Sequence, residues 1–140
     1  MRSIKIYNDH LPLYPAIKEC ISKKSLLITT AGTHPSNPDQ IIIKDRNLEV
    51  KGIPAIVAYL DEKFPFPPFL PADPENRALV RMALFEFLNR PFKELEQVYR
   101  TNIPKNGFFS GEEPTVLDFF IFALMGNHED WTEFRSRFAQ

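Results

Sequence analysis

Residues 53–71 read IPAIVAYLDEKFPFPPFLP, and the change of pattern halfway along this stretch divides the chain. In its first part Ile53, Ile56, Val57, Leu60 and Phe64 recur at the three-and-four spacing of one helix face, with Pro54 in the first turn, where its missing N–H costs nothing. The second part cannot continue that helix. The prolines at 65, 67, 68, 71 and 74 remove backbone donors and hold the chain extended, which suits a connector and excludes a central strand. The reading is therefore three parts: an N-terminal lobe over 1–64, a proline-rich linker over 65–74 and a helical lobe over 75–140.

Working outward toward the N-terminus, SIKIY (3–7) alternates as a short strand, and a turn follows at Asn8 and Asp9. Ile17, Cys20 and Ile21 lie at helical spacing within 13–24, opposite lysines and a glutamate. LLITT (26–30) is a branched, strand-forming run. AGTHPSNPDQ (31–40) combines turn formers with Pro35 and Pro38 and reads as a loop. IIIK (41–44) and LEV (48–50), separated by Asp45, Arg46 and Asn47, make a hairpin.

Toward the C-terminus the composition becomes helical. Asp73 is placed to cap a helix that has Pro74 and Glu75 in its first turn and Leu79, Met82, Ala83 and Phe85 to Leu88 along it. Pro91 interrupts that helix, and Phe92, Leu95, Val98 and Tyr99 suggest a further short one. Thr115 and Asp118 have capping-box spacing directly before FFIFALM (119–125), which is apolar all round and so expected at the centre of the second lobe. Gly126 suits a helix stop, and Trp131, Phe134 and Phe138 indicate a last amphipathic helix.

The totals exclude several functions. With 140 residues the chain can bury a sizeable core without metal or disulfide. Seventeen basic against 18 acidic side chains leave no field for direct nucleic-acid binding unless charges cluster locally. The longest apolar run, Phe119 to Met125, is far below the roughly 20 residues of a membrane span, and the N-terminus lacks a signal-peptide core. Cys20 is the single cysteine, so no internal disulfide or thiolate cluster can form, which favours a reducing, cytoplasmic setting. His10, His34 and His128 are far apart with no helical pairing; they read as solvated loop residues, and no metal site is expected.

The element order, together with YLDEKFPFPPFLP (59–71) and TVLDFF (115–120), resembles the glutathione transferase superfamily. The resemblance implies an α/β plus all-α fold: a shortened thioredoxin-like N-terminal lobe followed by a truncated glutathione-transferase-like helical lobe. Within the superfamily, FPFPP (64–68) is most similar to the stringent starvation protein A and macrophage growth locus protein A branch, whose first member carries a histidine between prolines where this chain has Phe66. That similarity implies a noncatalytic, transcription-associated protein that contacts RNA polymerase or a regulator. Pro65, Phe66, Pro67 and Pro68 are then the candidate partner-binding residues, with a homo- or heterodimer as a further implied partnership. Burial of Phe66 and Phe69 between lobes, as mere linker packing, is the alternative for this segment.

The same resemblance tests the enzyme reading. A glutathione transferase needs a hydroxyl or thiol near the end of the first strand to hold the cofactor's thiolate, and Tyr7 is the candidate in place; ordinary packing of a tyrosine at a sheet edge is the alternative. The family's Glu-Ser or Gln-Ser pair falls at Gly52 and Ile53, its cis-proline falls at Ile41 with Pro38 three residues early, and the span between the second and third strands is too short for its usual second helix. Ile53 has no side-chain donor for a carboxylate. No cofactor is therefore expected, with glutathione, and catalysis through Tyr7, only under the enzyme reading. A dimerising scaffold subunit is the third reading.

Overall fold

In the computed structural model the described residues are 2–90, 94, 97, 104–109, 111–125 and 129–138. Four strands, β1 (Ser3–Tyr7), β2 (Leu27–Thr30), β3 (Ile42–Asp45) and β4 (Leu48–Lys51), form one mixed sheet in the order β2-β1-β3-β4. Strands β1 and β2 run parallel, joined through helix α1 (Tyr14–Lys23), whereas β3 is antiparallel to both β1 and β4. Strand β1 is thus central, and Tyr7 does not lie on a sheet edge as expected. The helix of the opening stretch is α2 (Ile53–Lys63), with Pro54 in its first turn.

The period-two alternation of the strands decides what each face does. Ile4, Ile6 and Ile43 are fully buried on one face. On that same face the Tyr14 hydroxyl of α1 meets Thr30 Oγ1 at 2.9 Å and the Tyr59 hydroxyl of α2 donates to Asp45 at 2.5 Å, so both helices cover it. Ile17, Cys20 and Ile21 of α1 and Ile56, Val57 and Leu60 of α2 complete this core. The opposite face carries Ser3, Lys5 and Tyr7 of β1, Lys44 of β3 and Glu49 and Lys51 of β4, and neither α1 nor α2 covers it.

Asp45, expected in the turn, is instead the last residue of β3, and its side chain is 1% exposed. The reversal is made by Arg46, at φ 59°, and Asn47. Asp45 tolerates burial because the Arg2 guanidinium donates to both its oxygens, at 3.0 and 2.8 Å, beside the Tyr59 bond. Burial pushes its carboxyl up, yet the Tyr59 and Arg2 bonds outweigh that and hold it below the ordinary range, while burial and the adjoining carboxylate push Tyr59 up.

Cα packing separates the chain into two compact units, Met1–Pro68 and Phe69–Gln140. The second opens with α3 (Pro74–Asn89), whose N-cap Asp73 accepts the Asn76 N–H at 3.0 Å. Arg90 leaves the helix at ψ 147°, as the residue before a proline must. Val80, Leu84 and Phe87 form the buried face of α3, whereas Leu79, Met82 and Phe85 of this heavily apolar helix point outward. Helix α4 (Val116–Met125) starts on the expected box: Asp118 accepts from the Thr115 N–H at 2.8 Å, the Thr115 hydroxyl at 3.1 Å and the Phe109 N–H at 2.7 Å. Burial raises the Asp118 carboxyl above its usual value even so.

The aromatic cluster of Phe108, Phe109, Phe119, Trp131, Phe134 and Phe138 closes this unit with a short 3-10 turn (Glu129–Trp131) and α5 (Thr132–Arg137). Arg137 donates to the carbonyls of Pro104, Lys105 and Gly107 at 2.8, 2.8 and 2.9 Å and so holds that loop in place. Of the expected helix around Phe92 to Tyr99 only Glu94 and Gln97 are described, both helical, while its break at Pro91, and Gly126 and His128, lie outside the described residues.

Candidate functional site

The proline-rich segment is fastened on both flanks by side chains that the linear pattern did not mark. Helix α2 ends at Phe64, whose N–H donates to Leu60 O at 2.9 Å, and the Arg2 guanidinium lies 5.3 Å over the Phe64 ring. Three residues on, the carbonyl of Pro67 accepts from Lys24 Nζ at 2.6 Å, and the same ammonium is bonded to Asp61 Oδ1 at 2.9 Å. The Lys24 side chain has no exposed surface, so this charge is buried only because it is paired. The Phe66–Pro67 peptide is cis.

Phe69 opens the second unit as a fully buried side chain, its ring edge-on to Phe119 at 5.9 Å and its carbonyl accepting the Val116 N–H at 2.8 Å. Between these fastenings Pro65, Phe66, Pro67 and Pro68 are all exposed, and Phe66 shows 82% of its surface. Phe69 is thus buried in its own unit's core, whereas Phe66, expected to be buried under the linker-packing alternative, is exposed. Lys24 appeared in the sequence only as another lysine near the polar side of α1; no periodicity distinguishes a surface ammonium from one folded under a loop.

At the other end of the sheet, loop 31–40 closes over Tyr7 through Asn8. Asn8 takes a left-handed φ of 68°, which asparagine tolerates, and this turns its fully buried side chain into the loop. There Nδ2 donates to Asn37 O at 2.8 Å and Gln40 O at 2.6 Å, while Oδ1 accepts the His34 N–H at 2.8 Å. His34 is not the solvated histidine expected from a loop: it is 7% exposed, packs edge-on against the Tyr7 ring at 4.8 Å and reaches Glu49 through Nε2 at 3.1 Å. Its Nδ1 accepts the N–H groups of Ser36 and Asn37, both at 3.1 Å, so Nε2 is the nitrogen that donates to Glu49. His10 is exposed. Among the described residues no three His, Cys, Asp or Glu side chains could hold a metal ion together.

The positions that the resemblance makes responsible for glutathione carry other duties. Ile41 is buried in a trans peptide, and its carbonyl accepts the Gly52 N–H at 3.0 Å, so that acceptor is already engaged with the chain itself. Gly52, at φ 87°, offers no side chain, and Ile53 begins α2 with an aliphatic one. Residues 31–41 contain bends and turns but no helix. Tyr7 is half-buried against His34. The side chains of Gly52 and Ile53 thus offer no donor to a peptide carboxylate. Cys20 offers no substitute nucleophile, since full burial pushes its thiol far above the ordinary range.

No family model and no curated protein matches the sequence. Solved structures match the fold. A glutathione transferase homologue from Burkholderia gl BGR1, determined with glutathione bound, is 16% identical, covers 98% of this chain and 90% of its own, and superposes with a TM-score of 0.69. Rice GST1 in complex with glutathione is 15% identical over 96% of this chain and 85% of its own, with a TM-score of 0.70. Glutathione transferase E6 from Drosophila melanogaster is 18% identical over 86% and 75%, with a TM-score of 0.70. The architecture is thus the glutathione-transferase fold, a thioredoxin-like sheet lobe followed by a helical lobe, in 140 residues.

Proposed function

We propose that this chain is a noncatalytic, transcription-associated binding protein of the stringent starvation protein A type, working in the cytoplasm and contacting RNA polymerase or a regulator through Pro65, Phe66, Pro67 and Pro68. The observation that carries this reading is the exposure of Phe66, 82%, on a segment tied down by Lys24 and Phe69. An aromatic ring on a pre-ordered loop loses little conformational entropy when it enters a partner's pocket, which is how interface anchors act. The test is retention of RNA polymerase or another native partner on immobilised protein. Phe66→Ala should weaken retention by about 2 kcal/mol or more and leave the melting temperature nearly unchanged. A fall in melting temperature without a separate loss of retention would defeat the proposal.

Two other readings each have one supporting observation. The fold neighbours solved with glutathione favour a glutathione transferase using Tyr7. Conjugation of a generic electrophile by the purified protein, lost in Tyr7→Phe, would establish it over the binding reading. The outward apolar stripe of Leu79, Met82 and Phe85 on α3 favours a dimerising scaffold.

A further inference from the structure

The sheet of the first unit has helices on one face only. Its other face divides into two halves. The half near Tyr7 is roofed by loop 31–40, where His34 joins Tyr7 to Glu49 and Ile42 is fully buried. The half containing Ser3, Lys5, Leu27 and Thr29 is exposed. This bare half includes the only parallel pairing of the sheet, β1 with β2, and parallel strands are ordinarily covered on both faces.

The residues on this face break a local rule of strand pairing. Lys5 of β1 stands directly opposite Lys44 of β3, and like charges in that position repel. Lys51 adds a third ammonium on the same face, opposite Ile42. None of the three lysines has a hydrogen bond or ion pair among the described residues. Glu49, opposite Lys44 and the one acidic side chain on these strands' outer face, is engaged by His34. Beside the lysines, the Ser3 and Thr29 hydroxyls are bonded to each other at 2.9 Å, and Leu27 is 53% exposed. In a chain of net charge −1 this face therefore carries three lysines against one glutamate, beside one exposed apolar side chain.

We propose that the bare half of this face docks an acidic amphipathic helix of a partner protein, whose carboxylates meet Lys5 and Lys44 and whose apolar side chain rests on Leu27. Charge complementarity selects the occupant: a partner's carboxylates relieve the Lys5–Lys44 repulsion, which among the described residues only Glu49, opposite Lys44, offsets in part. Peptide is favoured over nucleic acid because the only aromatic ring on these strands' outer face, Tyr7, is already packed edge-on against His34, leaving none for a base to stack on. The proposal is separate from the Phe66 surface and does not require it.

The probe is a short fluorescent helical peptide with glutamates four residues apart around a leucine, titrated onto the full chain at low and high salt. Binding should weaken with salt, and Lys5→Glu/Lys44→Glu should weaken it by about tenfold or more, whereas Lys18→Glu on the exposed side of α1 should change it little. Lys5→Thr/Lys44→Thr guards against misfolding: it removes a repulsive pair, so it should melt no lower than the parent while still losing affinity. Absence of peptide binding at low salt, unchanged affinity in the Lys5/Lys44 variants, or tighter binding of a single-stranded oligonucleotide of equal charge would each overturn the proposal.

Discussion

Lys24 shows how one buried charge can organise a surface. Its ammonium bridges Asp61 on α2 and the Pro67 carbonyl, so the loop that exposes Phe66 is held by a cation that never reaches water. Lys24→Met keeps the aliphatic stem and removes only the charge, leaving Asp61 partly buried without that partner. The expected loss is about 3 kcal/mol of unfolding free energy, measured by urea denaturation, because the buried pair with Asp61 and the bond to the Pro67 carbonyl are both lost. His34 makes the complementary point, since a loop histidine flanked by Gly32, Pro35 and Asn37 gave no sign that it would be a buried plug.

Among elements, the β3–β4 hairpin depends on charge more than its composition suggests. Asp45 is held below its ordinary 3.8 by Tyr59 and Arg2 in spite of burial. A carboxyl with a lowered folded-state value contributes stability above its unfolded value and loses it as pH falls through the folded one. Unfolding free energy should therefore drop below about pH 4, and Asp45→Asn should flatten that part of the profile while lowering stability at neutral pH. An unchanged acid slope in Asp45→Asn would show that other carboxylates dominate. Asp118 works in the reverse sense: burial raises its value, so its ionisation is a cost that the Thr115 and Phe109 bonds offset to hold α4 at its start.

For the whole molecule, the apolar stripe on α3 bears on assembly. Leu79 and Phe85 lie three residues to either side of Met82, all three exposed, so a two-fold axis through Met82 would set the stripe against itself. If the chain self-associates through this stripe, Met82→Glu should shift sedimentation toward monomer at concentrations where the parent is larger, with little change in helix content. Identical sedimentation of parent and variant would remove the scaffold reading's support. Phe66→Ala, in contrast, should leave sedimentation unchanged.

The sequence by itself determined the order and kind of nearly every described element. Strand alternation, the spacing in α1, α2 and α4, the Asp73 cap and the Thr115–Asp118 box are all local, set by neighbours within a few residues. It also determined that residues 31–41 are too few for a helix and a return, because chain length limits what can be built. Only the tertiary structure decided which side of each element meets water. Phe66 and Phe69 sit in the same proline-rich run, yet one is exposed and the other buried. Lys24, just past the end of α1, and Lys5, in the middle of β1, are both lysines of the first unit, yet one is sealed and the other bare. Burial and pairing arise from contacts between residues dozens of positions apart, Asn8 with Asn37, Lys24 with Pro67 and Arg2 with Asp45, and no short-range pattern records them.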